Sequence, residues 1–174
     1  MEIEIRDAFE RDFDSIQKIY SHYVTNGLAS FELFPPDKKE LLFRWSQIRV
    51  LNHPYLVAEV VDKVVGYAYA STYRQRPAYE YTLENSVYVS PDFLDRGIGT
   101  QLLDKLIEVC ANLGYRQLIA IIGGSENYPS FSLHQKCGFE RVGLLPSTGF
   151  KHGKWVDTVL MQRHVGNGDK TPPS

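Results

Sequence analysis

The stretch Val87-Tyr88-Val89-Ser90-Pro91-Asp92-Phe93-Leu94-Asp95-Arg96-Gly97-Ile98-Gly99-Thr100 constrains the fold of this 174-residue chain more than any other. Val87, Tyr88 and Val89 are β-branched or aromatic, as strands favour. Pro91 ends the strand, and Gly97 and Gly99 bracket a turn. Beyond it the apolar positions fall at Ile98, Leu102, Leu103, Leu106, Ile107, Cys110 and Leu113, which is helical spacing, and Asn112-Leu113-Gly114 is a stop signal. A strand, glycine turn and helix in that order bring free backbone N–H groups and the positive end of a helix dipole to one point. Glycine also lets the main chain approach a bulky phosphate. The residues alone leave two readings open: an anion-binding turn, or a plain tight helix entry. A P-loop needs G-x-x-x-x-G-K-[ST], which the chain lacks, and Leu102 stands where a dinucleotide fingerprint needs its third glycine.

The same stretch, with Arg96-Gly97-Ile98-Gly99-Thr100 followed by Leu102-Leu103, resembles motif A of the GNAT acetyltransferase superfamily. The resemblance implies that the turn holds the pyrophosphate of acetyl-CoA through Leu94, Asp95, Arg96, Gly97, Ile98, Gly99 and Thr100. Val87, Tyr88 and Val89 are then expected to offer backbone groups to the pantetheine arm. Leu94 departs from the family's Arg or Gln at that place, which removes a side-chain contact to phosphate but leaves the backbone amides. Arg96 is placed to supply charge nearby.

Length and composition fit one domain over residues 1–164 with a flexible tail over 165–174. Hydrophobic residues at 43 % and aromatics at 13 % suffice for a sizeable core. A net charge of −2 gives a nucleic-acid partner no electrostatic support. There is no long apolar run and no signal-peptide pattern, so a cytoplasmic protein without a membrane partner is expected. Cys110 and Cys137 are expected as small buried apolar groups in a reducing compartment. Without C-x-x-C or H-E-x-x-H, no metal site is expected.

Read in order, an alternating strand over 2–6 precedes a helix capped by Asp12 and ending near Gly27. An apolar linker over 28–36 then leads to a second helix opened by the Asp37-Lys38-Lys39-Glu40 capping box. Strands follow at 55–61, 64–73 and 82–89. After the central turn and helix come a strand at 117–122, a helix ending at Cys137, and two last strands at 139–145 and 155–163 joined by a loop over 146–154. The order βααβββαβαββ is an α/β (α+β) pattern. It matches the GNAT fold: a mixed, mostly antiparallel seven-stranded sheet with about four helices, in which acyl-CoA enters where two strands splay apart.

The resemblance narrows further. Tyr23-Val24-Thr25-Asn26, Phe31-Glu32, Gly66-Tyr67-Ala68-Tyr69-Ala70, Arg76-x-Ala78-Tyr79, Thr82-x-Glu84-x-Ser86-Val87-Tyr88-Val89-Ser90, Leu133-His134 and Lys151-His152-Gly153-x-Trp155-x-Asp157 are together similar to phosphinothricin N-acetyltransferases. Members of that branch act on phosphinothricin, methionine sulfoximine and methionine sulfone, small amino acids with a bulky polar tetrahedral end. They often form homodimers, and the apolar linker is compatible with that.

Amine acetylation requires a base for the ammonium proton and a donor for the oxyanion. Glu84 lies on an otherwise apolar strand, sharing a face with Ser86 and Tyr88, where a carboxylate is costly without a task or a partner. A salt bridge to Arg74 or Arg76 and a catalytic role are both open from the residues; the resemblance implies the base. Arg74 and Arg76 suit a substrate carboxylate or phosphinate, or are solvated loop residues. The resemblance places Phe31, Glu32 and Tyr73 around the acceptor. It keeps His152 as a second acid–base group and gives Asn127 and Lys136 contacts to the pantetheine arm and a CoA phosphate. Asn127 as a helix cap, Lys136 and His152 as solvated residues, and His134 in a structural role are the plainer readings. An acidic pocket for a polyamine is not evident. Acetylation of a polyamine or protein N-terminus, and non-catalytic acyl-CoA binding, are the alternatives.

Overall fold

The computed structural model describes residues 2–173. Its elements are β1 (Glu4–Asp7), α1 (Phe13–Asn26), α2 (Lys38–Val50), β2 (Tyr55–Val60), β3 (Lys63–Thr72), β4 (Thr82–Val89), α3 (Ile98–Asn112), β5 (Gln117–Gly123), α4 (Tyr128–Lys136), β6 (Glu140–Lys151) and β7 (Lys154–His164). This is the expected order. One seven-stranded sheet runs β1-β2-β3-β4-β5-β7-β6, antiparallel at every pair except β4 with β5.

Strand alternation feeds a core on each face. On one, Phe13, Ile16, Ile19, Tyr20 and Val24 of α1 pack on Tyr55, Val57, Val64 and Tyr67. On the other, Ile98, Leu102, Leu103, Leu106 and Cys110 of α3 pack on Leu56, Ala58, Ala68, Leu83 and Leu118. The helical stripe read from 98 to 110 is the buried face of α3. Both cysteines are unpaired and buried, and burial pushes both thiols up to about 12. Neither is a thiolate available for covalent catalysis.

Two local details differ from the expected pattern. Asp12 stands at the N-cap of α1 without a side-chain cap bond, because its carboxylate is held by Arg6 Nη1 at 2.8 Å and by the Phe9 amide at 2.8 Å. The supposed loop over 146–154 is mostly strand: β6 continues to Lys151. Pro146 and Ser147 fall in a register break between Leu145 and Gly149, with Ser147 at φ 54°. Edge position makes this possible, since Pro has no amide to donate to an inner neighbour. His152 and Gly153, both at positive φ, form the two-residue turn into β7. After β7, Val165 is buried and Arg116 donates to the carbonyls of Gly168, Thr171 and Pro172 at 2.9, 3.2 and 2.9 Å. No helix among the described residues is long and apolar enough to cross a membrane.

Candidate active site

β4 pairs with β5 only from Thr82–Gln117 to Asn85–Ala120. Beyond that point β4 follows β3 as far as Val89 and β5 follows β7 as far as Gly123. The two parallel strands therefore part, and the edge of β4 from Ser86 to Val89 loses its β5 neighbour. A cavity of about 410 Å³ opens there, reaching the first turn of α3. Val87, Tyr88, Val89, Leu94, Asp95, Gly97, Ile98, Gly99, Thr100, Asn127 and Lys136 all line it. Arg96 is set off from the wall, with its guanidinium 4.8 Å above the Phe93 ring and Nη2 donating to Asp92 O at 3.1 Å.

Gly97 takes the left-handed N-cap position of α3 at φ 77°, and a Cβ added there would meet nothing within 4 Å. The turn thus presents open backbone at the positive end of a 15-residue helix, where the first N–H groups lack intrahelical acceptors. An acyl-CoA fits this arrangement: phosphates at the turn and the arm along the unpaired edge of β4. Part of that edge is already in use, since Tyr23 Oη donates to Val89 O at 2.6 Å. Asn127 caps α4 by accepting from the Ser130 amide at 3.3 Å, and it also faces the cavity.

Glu84, Ser86 and Tyr88 project from the opposite face, towards α1 and α2; Tyr88 packs on Tyr20, Tyr23 and Tyr67. Glu84 is half-buried and makes no ion pair among the described residues. Burial raises its carboxyl above the ordinary glutamate value, and Arg74 pulls weakly the other way. Arg74 and Arg76 lie exposed on the connector after β3, with Arg74 5.4 Å over Tyr73, which stands edge-on to Tyr79.

Glu32 has its own partners on the linker between α1 and α2. It pairs with Arg44, not with an arginine of the 74–76 connector, and accepts from Tyr20 Oη at 3.1 Å. Burial pushes the Tyr20 phenol up to about 12, so it stays a donor. Tyr20, Arg44, Tyr67, Tyr69 and Ser71 border a second cavity of about 220 Å³ on this face. Ser71 is the β3 partner of Glu84. Phe31 presses on Gly149 of β6, and Leu28 O lies against Gly123; a Cβ at either glycine would overlap them. Leu33 and Phe34, further along, are exposed.

Sequence reasoning missed Lys151 as an anchor. It is 3 % exposed, and its Nζ donates to Ser30 O at 2.7 Å. Ser30 Oγ in turn shares a bond with Tyr20 Oη at 2.9 Å. A lysine beside a hairpin turn gives no sign of burial in the sequence, and only the position of the distant linker reveals it. His152 beside it is exposed, with Nε2 3.3 Å from Gly27 O. Arg44 was missed for a similar reason, being one of several charges on α2.

Residues 13–139 match the acetyltransferase (GNAT) family. The chain belongs to that family. It is 48 % identical over 169 residues, 97 % of its own length and 86 % of the relative's, to phosphinothricin N-acetyltransferase of Alcaligenes faecalis. It is 34 % identical to the L-methionine sulfoximine/L-methionine sulfone acetyltransferase of Salmonella typhimurium, covering 91 % of this chain and 92 % of that one. A crystal structure of a GNAT superfamily phosphinothricin acetyltransferase from Sinorhizobium meliloti, in complex with AcCoA, superposes with a TM-score of 0.96 at 45 % identity, over 100 % of this chain and 94 % of that one. This GNAT domain thus shares its fold with a protein whose structure was solved in complex with AcCoA.

Proposed function

We propose that the chain is an N-acetyltransferase that moves the acetyl group of acetyl-CoA to the α-amine of a small amino acid, such as phosphinothricin, methionine sulfoximine or methionine sulfone. The observation that carries the reading is Glu84, a half-buried carboxylate without an ion pair among the described residues. It stands one residue before the point where β4 and β5 part.

In this reading Glu84 takes the proton of the α-ammonium, directly or through one water, and the free amine attacks the thioester carbon. Backbone N–H groups on the unpaired edge of β4 face the oxyanion. The C–N bond forms, the C–S bond breaks, and CoA leaves with its sulfur to be protonated. Arg74 and Arg76 supply guanidinium groups for the acceptor's carboxylate or its tetrahedral end. Phe31, Glu32 and Tyr73 border the acceptor from the linker and the connector. His152 serves as a second acid–base or acceptor-side group at the hairpin turn. Lys136 and Arg96 give positive charge near the phosphates at the α3 turn.

The acting species is a cytoplasmic homodimer. Exposed Val142, Leu144, Leu145, Phe150 and Trp155 on the β6–β7 hairpin support a second copy as the partner, because an exposed apolar edge invites pairing unless it is covered.

The test is free-thiol release from acetyl-CoA with L-phosphinothricin, L-methionine sulfoximine, L-methionine sulfone, spermidine and an N-terminal peptide as acceptors. Turnover with the first three is the expected result. Turnover confined to spermidine or the peptide overturns the substrate class, and acetyl-CoA binding without any turnover overturns the enzymatic reading.

A further inference from the structure

Asn85 is the last residue of β4 paired with β5, opposite Ala120, so it stands at the closed end of the gap. It is 5 % exposed, and its Nδ2 lies 3.0 Å from His134 Nε2. The other ring nitrogen, Nδ1, lies 2.8 Å from Ser130 O. A carbonyl has no proton to give, so Nδ1 carries the hydrogen. Burial lowers the imidazole from its ordinary value, outweighing the opposite pull of the Ser130 bond. The ring is therefore neutral, and Nε2 offers a lone pair to the Asn85 amide. That fixes the amide's rotation, with Nδ2 towards His134 and Oδ1 away from it.

Asn85 Oδ1 is buried and has no hydrogen-bond partner among the described residues. Such an oxygen is rare in a native interior. Asn85, His134, Val87, Ile121 and Asn127 border a narrow space of about 50 Å³ between the parted strands, continuous in its lining with the larger cavity at Val87, Tyr88, Asn127 and Ser130. Whatever reaches this end brings a donor for Oδ1. The acetyl-CoA arm offers one close to its reacting end: the N–H of the cysteamine amide, two carbons from the sulfur.

We infer that Asn85 is a positioning residue for acetyl-CoA, its Oδ1 accepting the cysteamine amide N–H and so setting how far the thioester reaches into the gap beside Glu84. His134 acts through Asn85: the nitrogen that faces the site holds no proton to hand to the departing sulfur. The inference rests on the acetyl-CoA reading above, and wild-type turnover of acetyl-CoA tests that reading separately.

The experiment is a double cycle. Asn85→Ala and Asn85→Leu are assayed beside wild type, with acetyl-CoA and with an analogue whose cysteamine N–H is replaced by CH2. Asn85→Ala is expected to raise KM for acetyl-CoA about tenfold, the scale of one hydrogen bond, with little change in KM for the acceptor. The analogue should cost wild type a similar factor and cost the variant nothing further. A merely structural Asn85 would lower the melting temperature without that coupling. Losses that multiply, or native KM for acetyl-CoA in folded Asn85→Leu, overturn the inference. Asn85→Ser, which keeps a polar atom in less volume, carries the same cycle should the other two fail to fold.

Discussion

At the scale of single residues, a half-buried carboxylate and a buried ammonium carry most of the account. Glu84 has a raised folded-state pKa because burial disfavours its carboxylate. The sign follows from linkage: the folded state holds this proton more tightly than the unfolded chain does. Its contribution to stability is present below the unfolded pKa and is lost as pH rises through the folded one. Glu84→Gln is therefore expected to melt higher than wild type at pH 8, with the gap narrowing towards pH 5, while acetyl transfer falls. Thermal denaturation at the two pH values checks it, and an equal gap at both would contradict it. Lys151 is the converse case, a buried ammonium with one carbonyl acceptor and Glu32 as the charge that favours it. Lys151→Met leaves Ser30 O without its donor, at about 1–3 kcal/mol. KM for the amino-acid acceptor should rise, with KM for acetyl-CoA nearly unchanged. The half-buried place of Glu84 on β4 was legible because a carboxylate breaks an apolar strand pattern. Lys151 and Asn85 were not, because burial of a polar residue depends on partners 121 and 49 positions away.

At the scale of elements, the strand–turn–helix unit from β4 to α3 announced itself through periodicity and punctuation, and all seven strands and four helices stood in the expected order. Boundaries slipped where a single residue has two uses. Pro146 reads as a strand breaker, yet an edge strand tolerates it in a register break. Asp12 reads as a cap, yet Arg6 claims its carboxylate. The parting of β4 from β5 leaves no mark in either strand's composition; it follows from β4 staying with β3 while β5 stays with β7. Gly97→Ala tests the turn. A side chain at φ 77° costs about 1 kcal/mol, and the methyl group would stand in the open space beside the turn. A higher KM for acetyl-CoA with an unchanged acceptor KM is expected. Gly149→Ala tests the linker, since its Cβ would overlap the Phe31 ring. Here the acceptor KM is expected to move and the acetyl-CoA KM to stay.

At the scale of the whole molecule, the sheet divides the labour. In the proposed reaction the α3–α4 face and the gap are assigned to the acyl donor, and the α1–α2 face, with its stacked tyrosines and Glu32–Arg44 pair, to the amine. Glu84 lies on the second face, one residue before the last β4–β5 pair. The β6–β7 hairpin leaves Val142, Leu144, Leu145, Phe150 and Trp155 in the open. Sedimentation should show a dimer that Leu145→Glu, Phe150→Glu or both dissociate. A wild-type monomer at micromolar concentration would contradict the dimer.

The central claim is that Glu84 is the base for amine acetylation, and the pH profile of kcat/KM tests it most directly. With L-phosphinothricin as acceptor, wild type is expected to gain activity as Glu84 ionises, on an acid limb lying above the ordinary glutamate value, and then to level off. Glu84→Gln should lose about 10²–10⁴-fold at the plateau and show only a steady rise with pH, tracking the free amine. An unchanged acid limb in the variant, with near-wild-type rates, would contradict the account.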